Sequence, residues 1–336
     1  MAAGVTLGLA QYDQRNNSQQ NNLQGVTLTE DSAIIQAAAK ARPAVVSVVT
    51  ESTPPIGSGS GYLATSDGYI VTNVSVIAKA TAITVLVSGD ATVHNARLVD
   101  YDCQTGVAVI KVDQVSGLPT LAFADPGSLL QGQVLVAVAG PLSGSAISRG
   151  IIGALHRPVT VTDPAAAERT QEISDTILVD PAPQASVNGA PLVNVGGQVV
   201  GIAMTSSGPS GSGGFAISAA DIQDEVQQIL QTGQLVVPSM GISSADLTPE
   251  QAALAAVPQG SKLLTVDKGG PADAAGLKPG DIITQLDDVT LDPAHPLRLL
   301  LRSRFHANQR VTVTYTRGST STQVQLTLSA AHPTCA

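Results

Sequence analysis

The chain has 336 residues and a mass of 34.0 kDa, which at about 150 residues per domain predicts two or three domains. Apolar residues make up 43% and charged residues 13%, so wholesale disorder is excluded. A net charge of −9 and an aromatic content of 2% disfavour nucleic acid as a partner. Two cysteines and scattered histidines indicate neither a disulfide scaffold nor a transition-metal site, and we expect no cofactor.

The N-terminus combines an apolar run with a polar tether. Residues 1–10 read MAAGVTLGLA, about half of the roughly 20 residues that span a bilayer, and lack the basic start of a complete signal peptide. Residues 11–28 are rich in Asn and Gln, which is typical of a solvated linker. We interpret residues 1–10 as the remnant of a transmembrane anchor; a frayed, mildly apolar end is the alternative.

Short β-rich runs follow a first helix. Ala33–Ala41 contains good helix formers and ends before Pro43. An amphipathic helix is predicted over Ala219–Gln231, and two short helices over Pro271–Ala275 and Pro296–Arg304. Between the first two helices, punctuation by Gly, Ser, Pro and Asp predicts many short strands and two small barrels. The clearest strands are Val45–Val49, Tyr69–Thr72, Ile83–Val87, Val107–Val112, Val134–Val138, Ile177–Val179 and Val199–Ile202.

One segment identifies a family resemblance. Gly57–Asn73 reads GSGSGYLATSDGYIVTN, a Gly/Ser strand, an Asp-Gly turn and a second strand, and it is similar to the start of the protease domain in the HtrA family of trypsin-like serine proteases. The resemblance implies a mostly β chain, with a chymotrypsin-like double β-barrel over 29–231, a PDZ domain over 238–330 and a tail over 331–336. Further segments resemble the family in the same order: Thr105–Asp113, Arg149–Leu155, Gly189–Ile202, Gly213–Ile217 and Gly270–Leu286.

The resemblance places the catalytic triad of the family at Ser75, Gly106 and Asn188. Serine proteases need a hydroxyl nucleophile, an imidazole base and a carboxylate that orients it. Ser75 stands at the position of the histidine base, but a serine hydroxyl is no base near neutral pH. Gly106 stands at the position of the aspartate and has no side chain, and Asn188 stands at the position of the nucleophile, where an amide is not useful. Ser186 also replaces the glycine that shapes the oxyanion turn of the family. We therefore predict a degenerate triad with no catalytic residues, and a pseudoprotease that is not an enzyme.

The alternative to a pseudoprotease is an enzyme with an unconventional catalytic site. Ser75 and Ser186 retain hydroxyl groups near the old site, which leaves open a weak or unconventional serine endopeptidase. We interpret His94 and His156 as surface or strand-end residues and Asp102 as a turn residue. A broken triad leaves rates of roughly 10³–10⁴-fold over water at best.

The second domain carries a candidate peptide site. PDZ domains add an extended C-terminal peptide to a sheet edge and hold its carboxylate with backbone N–H groups of a short x-Φ-G-Φ loop. The sequence Ser-Met-Gly-Ile at 239–242 matches this loop, and helix Pro296–Arg304 would form the second wall of the groove. The leucines of that helix share one face and could instead pack the domain core. The predicted peptide-binding residues are Ser239, Met240, Gly241, Ile242, Leu297 and Leu301.

These features together predict a peptide- or protein-binding scaffold, adaptor or chaperone-like factor on the extracytoplasmic face of a bacterial cell envelope, attached to the membrane through its N-terminus. The expected partners are peptide C-termini, with an active HtrA-type relative or a membrane protein complex as further candidates, and no nucleic acid. A structural subunit of a membrane-associated complex is another alternative.

The two cysteines leave one question open. Cys103 and Cys335 could pair in an oxidising compartment, but the sequence does not supply the geometry that a disulfide requires. Two unrelated thiols are the default interpretation.

Overall fold

The computed structural model describes residues 31–51, 57–78, 80–162, 170–180, 187–205, 214–293 and 295–333. The predicted anchor remnant at 1–10, the linker at 11–28, Ser186 and Cys335 lie outside these residues, as does the side chain of His156. The chain divides into two compact units, one ending at Gln234 and the other beginning at Leu235. Within the part of the chain that the structure describes, we find no helix that combines the length and the apolar character needed to span a bilayer.

The first barrel follows helix α1, which covers residues 31–41 and gives way to a 3-10 turn at Arg42–Ala44 that contains Pro43. Six strands close in the order β1-β2-β3-β6-β5-β4, and the short helix α2 (Val74–Ile77) follows β3. Val, Ile and Leu side chains fill the barrel because it has few aromatic residues. The strands are β1 (Val45–Glu51), β2 (Gly57–Leu63), β3 (Tyr69–Asn73), β4 (Ala82–Val87), β5 (Val93–Asp102) and β6 (Val107–Val112).

The second barrel closes in the order β10-β11-β12-β9-β8-β7. Ile152, Ile177 and Leu192 lie at its core and are 0–1% exposed. Helix α3 (Ala219–Thr232) follows the last strand and ends at Gly233, whose left-handed φ of 76° caps it. The predicted pair of β-barrels is confirmed. The strands are β7 (Val134–Val138), β8 (Ile147–Thr162), β9 (Thr170–Asp180), β10 (Pro191–Val193), β11 (Val199–Thr205) and β12 (Gly214–Ser218).

The two barrels meet along a contact that we call the inter-barrel seam, formed by Ser47, Ser60, Gly140, Asn188 and Gly189. The Ser60 amide donates to the Asn188 carbonyl oxygen at 2.8 Å, and the Gly140 amide donates to Ser60 Oγ at 2.9 Å. Ser47 Oγ accepts from the amide of Leu142 at 2.9 Å. A Cβ on Gly189 would collide with the Ser60 carbonyl oxygen, so the backbones approach closely only because this position is glycine.

The second unit is built on a sheet in the order β14-β15-β16-β18-β19, with β17 beside β16 and a separate β13-β20 pair. Strand β14 is therefore an edge of this sheet. Helices α4 (Pro249–Ala255), α5 (Pro271–Ala274) and α6 (Leu297–Arg304) complete the unit. The strands are β13 (Val237–Ser239), β14 (Ile242–Asp246), β15 (Ser261–Val266), β16 (Ile282–Leu286), β17 (Val289–Thr290), β18 (Arg310–Arg317), β19 (Thr320–Thr327) and β20 (Ser329–Ala331).

A buried carboxylate joins the turn before β16 to strand β18. Asp281 is 1% exposed, and Arg317 donates to it through Nε and Nη2, each at 2.7 Å. Burial alone raises the pKa of Asp281, but these hydrogen bonds and one from the Lys278 amide outweigh it and hold the pKa below its usual value. The ion pair thus stabilises the folded unit at neutral pH.

Cys103 lies in the turn before β6 and is disulfide-bonded. Cys335 is the only other cysteine of the sequence. The default interpretation of two unrelated thiols is therefore wrong for Cys103.

The seam predicts a large difference between two glycine substitutions. Gly89→Ala, at a φ of 82° with open space around it, should cost about 1–2 kcal/mol from backbone strain alone. Gly189→Ala, at a φ of 79°, adds a collision with β2 and should cost about 1–3 kcal/mol more. Calorimetry that reads the barrel transition measures both, and equal losses would contradict the seam.

The Asp281 ion pair predicts a pH dependence. Because the folded-state pKa of Asp281 is depressed, its stabilisation is present at neutral pH and is lost as pH falls through that pKa. Arg317→Ala should destabilise the second unit at pH 7 and make acid unfolding begin at a higher pH. Arg310→Ala, at an exposed position of the same strand, is the control and should leave the acid transition unchanged.

Candidate functional site

Ser75 lies in helix α2, at the mouth of the contact between the barrels. Asn73 ends β3 and caps this helix, since its Oδ1 accepts the Val76 amide at 3.0 Å. Asn73 is 1% exposed, whereas Ser75 is exposed. The helix begins here because Asn is among the residues preferred at an N-cap.

Three side chains form a closed ring of hydrogen bonds, which we call the inter-barrel ring. Asn73 Nδ2 donates to Asn188 Oδ1 at 2.8 Å, Asn188 Nδ2 donates to Ser75 Oγ at 3.1 Å, and Ser75 Oγ donates to Asn73 Oδ1 at 2.8 Å. Asn73 Nδ2 also donates to the Ala203 carbonyl oxygen at 3.0 Å. The structure therefore brings the predicted positions 75 and 188 into direct hydrogen-bond contact, and it adds Asn73, which sequence reasoning had not singled out.

The ring consists of amides and a hydroxyl. The Ser75 proton points to an amide oxygen, which is a much weaker base than an imidazole. Activation of this hydroxyl by its ring partners is consequently weak, and any hydrolysis that it supports is expected to be slow.

Gly106 lies in the turn between β5 and β6 with a φ of 81°. Its carbonyl oxygen accepts the Val74 amide at 2.7 Å, which ties this turn to α2. A Cβ at this position would lie 3.2 Å from the Cδ1 atoms of Ile173 and Ile217. A carboxylate here would face apolar methyl groups on a strained backbone, so the local structure suits glycine.

A buried carboxylate nevertheless lies beside this turn. Glu225 of α3 is 6% exposed and its Oε2 accepts from Thr105 Oγ1 at 2.9 Å. The sequence held a signal for it, because Glu225 falls on the apolar face of α3 defined by Ile222, Val226 and Ile229. Sequence reasoning missed this residue.

His94 and Asp102, the other residues considered for catalysis, bond to residues that are near them in the sequence. His94 Nε2 lies 3.1 Å from Asp90 Oδ2 in the β4–β5 hairpin. Hydrogen bonds from Thr92, and then from His94, lower the pKa of Asp90 to about 2. Asp102 is buried, and its Oδ1 accepts the Gln104 amide at 2.7 Å within the turn before β6.

The loop between β13 and β14 carries the second candidate site. Gly241 has a φ of 69°, and its amide donates to Ser239 Oγ at 3.0 Å. The carbonyl oxygens of Met240 and Gly241 accept from the amides of Ala272 and Asp267, each at 2.9 Å. These bonds hold the loop against the first turn of α5 and the segment before it, next to the edge strand β14.

The apolar residues around this loop are buried to different degrees. Met240, Leu297 and Leu301 are 1%, 2% and 8% exposed and belong to the core cluster of the second unit. Ile242 is partly buried and packs against the same cluster. The structure thus places the leucines of α6 in the core, the alternative that the sequence had left open.

Two family matches agree with the fold. Residues 59–202 match the trypsin-like peptidase domain, and residues 238–328 match the PDZ domain. The fold and these matches define a trypsin-like peptidase domain joined to a PDZ domain.

Similar proteins identify the family to which this two-domain chain belongs. The chain is 33% identical over 292 residues to "Serine protease Do-like HtrA" of Lactococcus lactis subsp. cremoris, covering 81% of this chain and 70% of the relative. It is 31% identical over 266 residues to "Probable periplasmic serine endoprotease DegP-like" of Rhizobium meliloti, covering 77% of this chain and 51% of that protein. The chain belongs to the HtrA family of serine proteases.

Solved structures show the same architecture. The HtrA-type protease AlgW with decapeptide superposes with a TM-score of 0.70 at 25% identity, covering 90% of this chain and 99% of AlgW. The serine endoprotease from Yersinia pestis gives a TM-score of 0.65 at 26% identity, covering 89% of this chain and 98% of that one. The predicted family and fold are confirmed.

The prediction that the chain is not an enzyme is wrong. The relatives are named serine proteases or endoproteases, and these names point to protease activity. The prediction took three side chains as decisive, although oxyanion stabilisation and substrate binding sustain part of the rate of a serine protease when its triad is broken.

Proposed function

We propose that this HtrA-family chain binds the C-termini of peptides and proteins through its PDZ domain and acts outside the cytoplasm as a scaffold, adaptor or chaperone-like factor. The observation that carries the proposal is the exposed edge of β14 directly after the loop at 239–242. A strand edge in this position supplies main-chain hydrogen-bonding groups to an added peptide strand.

The loop geometry supports carboxylate binding at the start of this edge. Gly241 adopts the left-handed conformation, which helps to turn successive N–H groups toward one point. Ser239 Oγ accepts the Gly241 amide in this structure, so a ligand carboxylate would take over that donor. Ile242 is the partly buried apolar residue beside it and would contact the last side chain of the peptide. We propose smaller roles for Met240, Leu297 and Leu301, which shape the pocket floor from the core.

The names of the relatives support the location and the ligand class. The Rhizobium meliloti relative is named periplasmic, which favours an extracytoplasmic site of action. AlgW was solved with a decapeptide, which favours peptides as ligands. Membrane attachment through the N-terminus, and an active HtrA-type relative or a membrane complex as partner, stay predictions.

A weak serine endopeptidase is the second candidate function, and the names of the relatives favour it. We propose that Ser75, Gly106 and Asn188 occupy the triad positions; Ser186, which the family resemblance assigns to the oxyanion turn, lies outside the described residues. Ser75 is the exposed hydroxyl of the inter-barrel ring and is the nucleophile that this arrangement offers. Its amide partners imply turnover far below that of an intact triad.

The PDZ proposal predicts that Gly241→Ala weakens peptide binding about tenfold or more, because Ala at a φ of 69° reorients the loop amides. The measurement is fluorescence polarisation of the full chain with labelled decapeptides that end in an apolar residue and a free carboxylate. Amidated twins of the same peptides should bind at least tenfold more weakly.

Gly318→Ala is the matched control for this experiment. Gly318 has a φ of 61° in the β18–β19 turn, so it carries a similar backbone strain away from the β14 edge. This variant should bind peptides like the unaltered chain. Absence of binding by any free-carboxylate peptide, or equal loss in both variants, would overturn the proposal.

The peptidase candidate predicts slow covalent labelling by a fluorophosphonate probe at Ser75. Peptide turnover by the purified chain should be weak and should disappear in Ser75→Ala, whereas Ser116→Ala at an exposed position should change nothing. Labelling of another serine would move the nucleophile elsewhere, and the lack of both labelling and turnover would contradict this candidate.

A further inference from the structure

We propose that the inter-barrel ring of Asn73, Ser75 and Asn188 is a latch that holds the loop at 187–190 of the second barrel against the first barrel. This role concerns the barrels alone and goes beyond peptide binding by the PDZ domain. It assigns a positioning function to side chains at the cleft between the barrels.

The bonds of the ring cross from one barrel to the other. Asn73 and Ser75 belong to the end of β3 and to α2, whereas Asn188 belongs to the turn before β10. Two of the three ring bonds, those between Asn73 and Asn188 and between Asn188 and Ser75, therefore join the barrels. The third bond, from Ser75 Oγ to Asn73 Oδ1, closes the ring within the first barrel. Each of the three side chains therefore donates one hydrogen bond to the ring and accepts one from it.

Asn73 is the ring member whose side chain bonds most extensively to both barrels. Its side chain is 1% exposed and uses both amide protons, one on Asn188 Oδ1 and one on the Ala203 carbonyl oxygen, both in the second barrel. Its oxygen serves the first barrel, where it accepts from Ser75 Oγ and the Val76 amide. If Asn188 turned away while the barrels stayed closed, one amide proton of Asn73 would be buried without an acceptor, which is costly.

Two backbone hydrogen bonds hold the same turn as the ring. The Ser60 amide donates across the seam to the Asn188 carbonyl oxygen at 2.8 Å, and the Gly189 amide donates within the second barrel to the Ala203 carbonyl oxygen at 2.9 Å. A Cβ on Gly59 would lie 3.1 Å from the same Asn188 oxygen. The side-chain ring and the backbone seam therefore fix one turn, and loosening the first should expose the amides of the second to solvent.

Hydrogen exchange of the full chain tests the latch. Ser75→Ala and Asn188→Ala should each lower the protection of the Ser60 and Gly189 amides about tenfold, which corresponds to about 1.4 kcal/mol. Since both variants break the same ring, the double variant should lose little more than the larger single loss. Ser116→Ala is the control and should leave both amides protected.

Asn73→Asp separates the ring from the helix cap. Aspartate keeps the oxygen that caps α2, but at neutral pH it replaces both donors with a carboxylate facing the oxygens of Asn188 and Ala203. None of the four groups that bond the Asn73 side chain titrates near neutral pH, and burial should raise the pKa of the introduced carboxyl. Protection should therefore fall at pH 7 and recover in part as the pH is lowered, because the protonated carboxyl can again donate.

Three outcomes would overturn the latch: unchanged protection in Ser75→Ala and Asn188→Ala, additive losses in the double variant, or a loss in Asn73→Asp that persists at low pH. Peptide binding by the PDZ domain should be the same in all of these variants. A failure of the latch is therefore distinguishable from a failure of the proposed function.

Discussion

The close approach of two backbones between the barrels is the constraint on which the first unit depends. Gly189 lies against the carbonyl oxygen of Ser60, and a Cβ at residue 189 would collide with that oxygen. The packing explains why β2 begins with alternating Gly and Ser: Gly59 leaves room for Val76 of α2 and for the Asn188 carbonyl oxygen, whereas Gly61 leaves room for β3. Ser60 hydrogen-bonds to the backbone of the second barrel. Because the two backbones lie this close together, the side chains of Asn73, Ser75 and Asn188 can form hydrogen bonds between the barrels.

Much of the fold could be predicted because its signals are local. Runs of Val and Ile between turn residues gave the barrel strands, and every clear strand prediction lies within an observed one. Helix α4 was missed, although Thr248 and Gln251 form a capping box that the sequence displays. Attention to caps as well as to hydrophobic period would have found this helix.

The candidate site was harder to predict because its geometry is non-local. Positions 75 and 188 could be paired only through a family resemblance, and the two groups that accept the amide protons of Asn73 lie more than 100 positions away in the sequence. In the second unit, the i, i+4 spacing of Leu297 and Leu301 gave their shared face but not whether it pointed to a groove or to the core. Sequence spacing fixes which residues share a face, whereas packing decides what that face contacts.

Peptide binding by the second unit depends on the edge of β14, which we propose receives a peptide whose carboxylate binds at Gly241. The most direct test is amide chemical-shift mapping of the isotope-labelled full chain as a peptide with a free C-terminus is added. We expect saturable shifts at Gly241, Ile242 and the rest of β14. Shifts confined to the opposite edge strand β19, or no saturable shifts in the second unit, would contradict it.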